Sequence, residues 1–151
     1  MGTSASLTSG KDGNPRKEFC FYGDVAFVTY TRSHIHDKEE FSKALQWSLR
    51  KSLRSRRSTA GVGVSLFGSR ELHKDGTPHY HVLVRFSEKV YWKEARKMFS
   101  VWTWNNGQSV LDTQSIYIRR RDKAEEVGKF LYCVQRYIAK RGDVFGHWVV
   151  N

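Results

Sequence analysis

The sequence predicts an α+β fold: a central antiparallel β-sheet with helices packed on it. Three observations predict it. Runs rich in β-branched and aromatic residues alternate with helical runs in the order β-α-β-β-α-β-α, with a further strand pattern at the end. Asp75-Gly76 lies between two adjacent strand runs and is a hairpin signal, so those neighbours run antiparallel. At 151 residues and 39% hydrophobic, the chain is long enough for one domain with its own core.

The elements follow in order. Residues 1–17 are rich in Gly, Ser, Thr, Lys and Asp and read as a flexible tail, leaving 18–151 as the folded domain. "DVAFVTYT" (Asp24 to Thr31) reads as the first strand. In the next segment Phe41, Leu45, Leu49 and Leu53 recur with helical spacing, and Ser33 or Asp37 offers the N-cap. "TAGVGVSLFGSREL" reads as the second strand, "HKDGTP" as a turn and "HYHVLVRF" as the third strand. A short helix is expected near Tyr91 to Trp102, broken by "NNG", and "TQSIYIRR" reads as a further strand. The last helix lies in "DKAEEVGKFLYCVQRYIAKRGD". Asp122 reads as its N-cap, with Glu125 three residues on as in a capping box, and Gly142 falls just past its end. "VFGHWVV" carries a final strand pattern.

Charge narrows the partners. The net charge is +11, which points to a polyanion, most simply nucleic acid. No apolar run is long enough to span a membrane, and the N-terminus has no apolar signal core, so an intracellular protein without a membrane partner is expected. Cys20 and Cys133 fit no metal or redox spacing and read as reduced and structural. There is no GxxxxGK[ST] phosphate cradle. Trp47, Trp92, Trp102, Trp104 and Trp148 read as core, and His34, His36, His73 and His147 as surface or structural residues.

Two short patterns carry chemistry. In "GTPHYHVLVRF", strand alternation places His79 and His81 on one face and Tyr80, Val82, Val84 and Phe86 on the other. Neutral imidazoles bind divalent metals, and Glu71, at the end of the preceding strand, is the best third ligand. A two-residue turn would pair Leu72 with His79 and turn Glu71 away. The metal reading therefore requires a bulge or a longer irregular loop, which Pro78 favours. Two histidines and a glutamate with open positions would suit Mg²⁺ or Mn²⁺ acting on a phosphate. The alternative is three ordinary polar residues on a half-exposed face.

The second pattern is on the last helix. Val127, Leu131, Val134 and Ile138 form an apolar stripe, and Tyr137 and Lys140 share the adjoining face. Tyr137 would become a nucleophile if its phenol were deprotonated, and Lys140 could favour that or balance charge on a phosphorane. The alternative is a core-edge tyrosine beside a lysine that complements the helix dipole. "LRKSLRSRRS" holds Arg54, Arg56 and Arg57 and reads as a DNA-phosphate patch, a nuclear-import run or a solvated helix end. Arg119, Arg120 and Arg121 are further candidate phosphate contacts.

Taken together, "FVTYTR", "RELHKDGTPHYHV" and "YIAKRGD" resemble the three motifs of replication-initiator (Rep) proteins of circular single-stranded DNA viruses. These are HUH endonucleases, here in the geminivirus and genomovirus style. The resemblance covers about residues 24–148. Arg32 departs from the end of the first motif, and Arg141 stands where the third has an acidic residue. It implies an HUH/RRM-like nuclease fold and metal-dependent, site-specific nicking and joining of single-stranded DNA that initiates rolling-circle replication. Glu71, His79 and His81 would hold Mg²⁺ or Mn²⁺, Tyr137 would attack to give a 5′-phosphotyrosine, and Lys140 would assist. Tyr30 and Arg32 would contact DNA. The partners implied are single-stranded DNA and an origin stem-loop, with self-association through regions outside this chain, in the host nucleus. The linker and helicase of full-length family members would lie outside the chain. Two alternatives stay open: a catalytically silent single-strand-binding module of RRM-like fold, and an HUH nuclease of the plasmid Rep or transposase kind.

Overall fold

The computed structural model describes residues 19–112 and 115–150. The tail expected over residues 1–17 lies outside the described residues, as do the first two residues of "TQSIYIRR". The elements are β1 (Phe21–Thr31), α1 (Lys38–Arg54), β2 (Val64–Leu72), β3 (Pro78–Trp92), α2 (Ala95–Met98), β4 (Trp102–Asn105), β5 (Gln108–Leu111), β6 (Ser115–Arg120), α3 (Val127–Lys140) and β7 (Asp143–Gly146). A 3₁₀ turn at Arg57–Thr59 follows α1. Five strands form one antiparallel sheet in the order β6-β1-β3-β2-β7, and β4 and β5 form a separate hairpin. The expected α+β sheet-and-helix architecture is the one observed.

Alternation along the strands builds two cores, one on each side of the sheet. Val28, Tyr30, Tyr80, Val82, Val84 and Phe86 face α1, which contributes Phe41, Leu45, Leu49 and Leu53. Val25, Phe67 and Leu83 face the other way and meet Phe130, Leu131, Val134 and Ile138 of α3. The sheet therefore sits between α1 with α2 on one face and α3 on the other.

Local chemistry sets the ends. Asp37 caps α1 by accepting from the Glu40 N–H at 3.0 Å, while Ser33 instead donates to Asp112 Oδ2 at 2.6 Å. Glu39 and Glu40 in the first turn, with Lys51 and Arg54 in the last, complement the α1 dipole.

Three expectations are corrected. The helix expected near Tyr91 to Trp102 shrinks to the four residues of α2, because β3 runs on through Trp92 and β4 begins at Trp102. Asn106-Gly107 is the turn of the β4–β5 hairpin rather than a helix breaker. Both residues have positive φ, 52° and 79°, as a type I′ turn requires. Finally, α3 is capped by Glu126, which accepts from the N–H groups of Gly128 and Lys129 at 2.7 and 3.2 Å. The Asp122 N–H donates to Glu125 Oε1 at 2.9 Å, so that pair closes a turn ahead of the helix.

Candidate active site

The β2–β3 connection decides whether Glu71 can join the histidines. It is a five-residue loop, His73 to Thr77, in which the N–H of His73 donates to the Thr77 carbonyl and that of Gly76 to His73 at 2.8 Å each. Gly76 takes the left-handed conformation, φ 88°. Leu72 then pairs with Pro78 and Glu71 with His79, so the longer irregular loop places Glu71 on the histidine face.

The three side chains converge. Glu71 Oε1 lies 2.8 Å from His79 Nε2 and 3.1 Å from His81 Nε2, and the two Nε2 atoms are 3.1 Å apart. Lone pairs this close repel unless protons or a cation lie among them. The separations fit one triangular face of an octahedral ion, whose neighbouring ligands at about 2.1 Å are about 3.0 Å apart. The donor set of two imidazoles and a carboxylate could hold a divalent metal ion.

Both rings are braced from behind. Thr29 Oγ1 is 3.2 Å from His81 Nδ1, and His73 Nε2 is 3.2 Å from His79 Nδ1. These contacts aim both Nε2 atoms at Glu71, as outer-shell partners of metal-binding histidines do. Burial lowers the His81 pKa, partly opposed by its bond to Glu71, and so favours the neutral ligand form. Burial acts to raise the Glu71 pKa, but its bonds to His81, His79 and Arg141 outweigh this and hold it below the ordinary range.

The apolar stripe of α3 packs on the sheet and turns Tyr137 toward the same face. Its ring centroid is 5.9 Å from that of His81 and 5.9 Å from that of Phe27. The Tyr137 hydroxyl accepts from Arg141 Nη2. The same guanidinium donates from Nη1 to Glu71 Oε2 at 2.8 Å and lies 4.5 Å above the Tyr137 ring. One carboxylate oxygen of Glu71 thus serves the histidines and the other serves Arg141, which links the ligand cluster to the phenol. Beside Tyr137, between α3 and the sheet, is a cavity of about 660 Å³ lined by Phe27, Arg119, Lys129 and Phe130 among others.

A model of the family "Replication-associated protein ORF2/G2P" matches residues 25–142. The chain belongs to this family. The match runs from β1 to the end of α3 and includes every residue of the cluster just described. No curated protein matches the chain. Family membership and the Glu71–His79–His81 cluster together make this a replication-associated domain with a candidate divalent-metal site.

The structure of this family member brings Glu71, His79, His81 and Tyr137 together. Of the other candidates, only Arg119 lines the cavity beside Tyr137. Tyr30 is fully buried, with its hydroxyl donated to the Phe99 carbonyl at 2.8 Å, because alternation turns it into the α1 core; it has no surface to offer DNA. Lys140 is exposed in the last turn of α3, and the hydrogen bond to the Tyr137 hydroxyl comes from Arg141. Arg32 has φ 52° and holds Asp75 of the β2–β3 loop at 2.8 Å. Arg119 pairs with Glu125 at 3.1 Å, Arg120 donates to the Cys20 carbonyl at 3.1 Å and Arg121 to the Glu125 carbonyl at 2.6 Å, so all three hold the approach to the flanking strands and α3. Arg54, Arg56 and Arg57 lie at and beyond the end of α1, the helix on the opposite face of the sheet from α3.

Sequence reasoning missed Thr29, His73 and Arg141 as parts of the site. Thr29 lay inside a quoted motif and Arg141 was visible only as a departure. Cys20 and Cys133 are free and exposed rather than structural, and Trp47, Trp102, Trp104 and Trp148 are exposed rather than core. No helix among the described residues is long and apolar enough to cross a membrane.

Proposed function

We propose that this domain is a metal-dependent endonuclease and strand transferase that nicks and rejoins single-stranded DNA to initiate rolling-circle replication. The observation that carries the reading is the convergence of Tyr137 with Glu71, His79 and His81, which come from three elements and meet on one sheet face. A cation held there would supply Lewis-acid polarisation of the scissile phosphate.

Tyr137 Oη attacks phosphorus in line. The new O–P bond forms as the bond to the 3′-oxygen breaks, giving a 5′-phosphotyrosine and a free 3′-hydroxyl. The phenol proton leaves to solvent and the departing 3′-oxygen takes one up. Arg141, which donates to the phenol oxygen, would hold that oxygen in place beside the ligand cluster. The phosphotyrosine conserves the ester, so a 3′-hydroxyl can attack it in reverse and rejoin strands without ATP. The cavity beside Tyr137 has aromatic walls in Phe27 and Phe130 and basic groups in Arg119 and Lys129, which suits an unstacked base next to that phosphate.

The motifs favour a Rep protein of a geminivirus- or genomovirus-like virus, acting at an origin stem-loop in the host nucleus. The test is a denaturing gel of the protein mixed with labelled single-stranded stem-loop DNA and Mn²⁺. A labelled band at protein size is expected, lost in Tyr137→Phe, in His79→Ala and on chelation. Tight DNA binding by the folded protein with no covalent band from any stem-loop or randomised strand would overturn the reading and leave a binding module.

A further inference from the structure

The face of the sheet away from the metal cluster carries a second feature. Between Glu40 and Glu71 the sequence has no acidic residue. Lys51, Arg54 and Arg56, and Lys97 of α2, are exposed, and none has an acidic partner among the described residues. Lys51, Arg56 and Lys97 line a groove of about 420 Å³ with Trp102 as one wall. Next to it, Trp47 of α1 and Trp104 of β4 meet edge to face at 6.0 Å, while remaining 40% and 60% exposed. The Lys51 ammonium lies 5.0 Å over the Trp47 ring.

The placement is held by the fold. The Trp102 N–H donates to Ser48 Oγ at 2.9 Å and ties the hairpin to α1. Period two on β4 then puts Trp102 and Trp104 on one side, and the α1 register puts Trp47 and Lys51 one turn apart on its outer face. Exposed indoles beside cations with no carboxylate partner among the described residues suit one ligand chemistry. Unpaired bases stack on aromatic faces while their phosphates take the positive charge.

We infer that Trp47, Trp104, Trp102, Lys51, Arg56 and Lys97 form a second single-stranded DNA site, on the sheet face opposite Tyr137. The choice of DNA rests on the replication reading above. A strand held here would be a segment other than the one being cleaved, so the domain would grip single-stranded DNA at two places on opposite sides.

The test is equilibrium binding of the full chain to an oligothymidylate of about 30 nucleotides, long enough for two sites. Chelator is present throughout, so covalent chemistry does not enter. In Trp47→Ala/Trp104→Ala the affinity is expected to fall about tenfold or more, with loss of most of the strand-induced quenching of tryptophan fluorescence. In Lys51→Gln/Lys97→Gln the slope of log affinity against log salt is expected to fall by about 1.4, from two lost phosphate contacts. Trp104→Phe keeps a ring and is expected to restore binding, which separates a lost contact from a lost fold. Unchanged affinity and slope in both double variants would overturn the inference, whatever the covalent gel shows. So would a duplex that binds as well as the strand and loses as much in the same variants.

Discussion

Arg141 Nη1 stands 2.8 Å from Glu71 Oε2, although 70 residues separate the two in sequence. A cation already occupies one side of the carboxylate whose other oxygen belongs to the ligand cluster. Removing that positive charge should strengthen the site for a divalent ion. Arg141→Gln is expected to bind Mn²⁺ on the order of three- to tenfold more tightly by titration calorimetry. The same substitution removes the donor to the Tyr137 hydroxyl, so covalent adduct should form more slowly at saturating metal. Effects of opposite sign from one change set this apart from general damage to the fold; weaker metal binding would sink it.

Thr29 holds the far side of the His81 ring. Thr29→Val keeps the shape and β-branching but removes the hydroxyl 3.2 Å from Nδ1. Mn²⁺ affinity is expected to drop about ten- to a hundredfold, the usual cost of an outer-shell partner. A change smaller than twofold would mean that the ring is held by packing alone.

Burial depresses the His81 pKa. Its neutral form is favoured in the folded chain, so its contribution to stability is present above the ordinary histidine pKa and is lost as pH falls through the lower, folded value. In metal-free protein, the His81 ring resonances should titrate by NMR with a midpoint below about 6.5. A midpoint at or above that value would show that the bond to Glu71, not burial, governs the ring.

Asp143 opens β7 and accepts from Lys38 Nζ at 2.6 Å and Arg70 Nε at 3.0 Å. The Lys38 hydrogen bond chiefly holds its carboxyl below the ordinary range, with Arg70 adding to it. The stabilisation is therefore present above the unfolded pKa and lost as pH falls through the folded one. Because these groups are partly exposed, Asp143→Asn should cost about 1 kcal/mol or less at neutral pH. The difference from wild type in thermal melts should narrow as pH drops from about 5 to about 2. A constant difference across that range would point to lost packing instead of lost charge.

The sheet and its two large helices were readable because their signals are local. Phe41, Leu45, Leu49 and Leu53 declare the buried side of α1, and from Pro78 and the need to align Glu71 the β2–β3 connection could be narrowed to a bulge or a longer irregular loop, of which the structure has the second. The β4–β5 hairpin had an equally local signal in Asn106-Gly107, but "NNG" read as the breaker of a helix expected near Tyr91 to Trp102. Tyr30 failed for another reason. Its motif lies in β1, but period two buries every second residue there, and Thr29 rather than Tyr30 faces the histidines. Arg141 and His73 were out of reach because their roles depend on where a helix end and a loop arrive in space, which spacing does not state.

The three candidate metal ligands and Tyr137 are carried by differently built parts of the fold. Glu71, His79 and His81 ride on neighbouring strands laced by backbone bonds. Tyr137 rides on a helix docked to that sheet through side chains, Phe130, Leu131, Val134 and Ile138 against Val25, Phe67 and Leu83. Such a helix can tilt without breaking a single rung of the ladder beneath it. In the proposed reaction, where a severed DNA end would ride on Tyr137 and later be handed back, that arrangement would supply a fixed anvil and a movable arm.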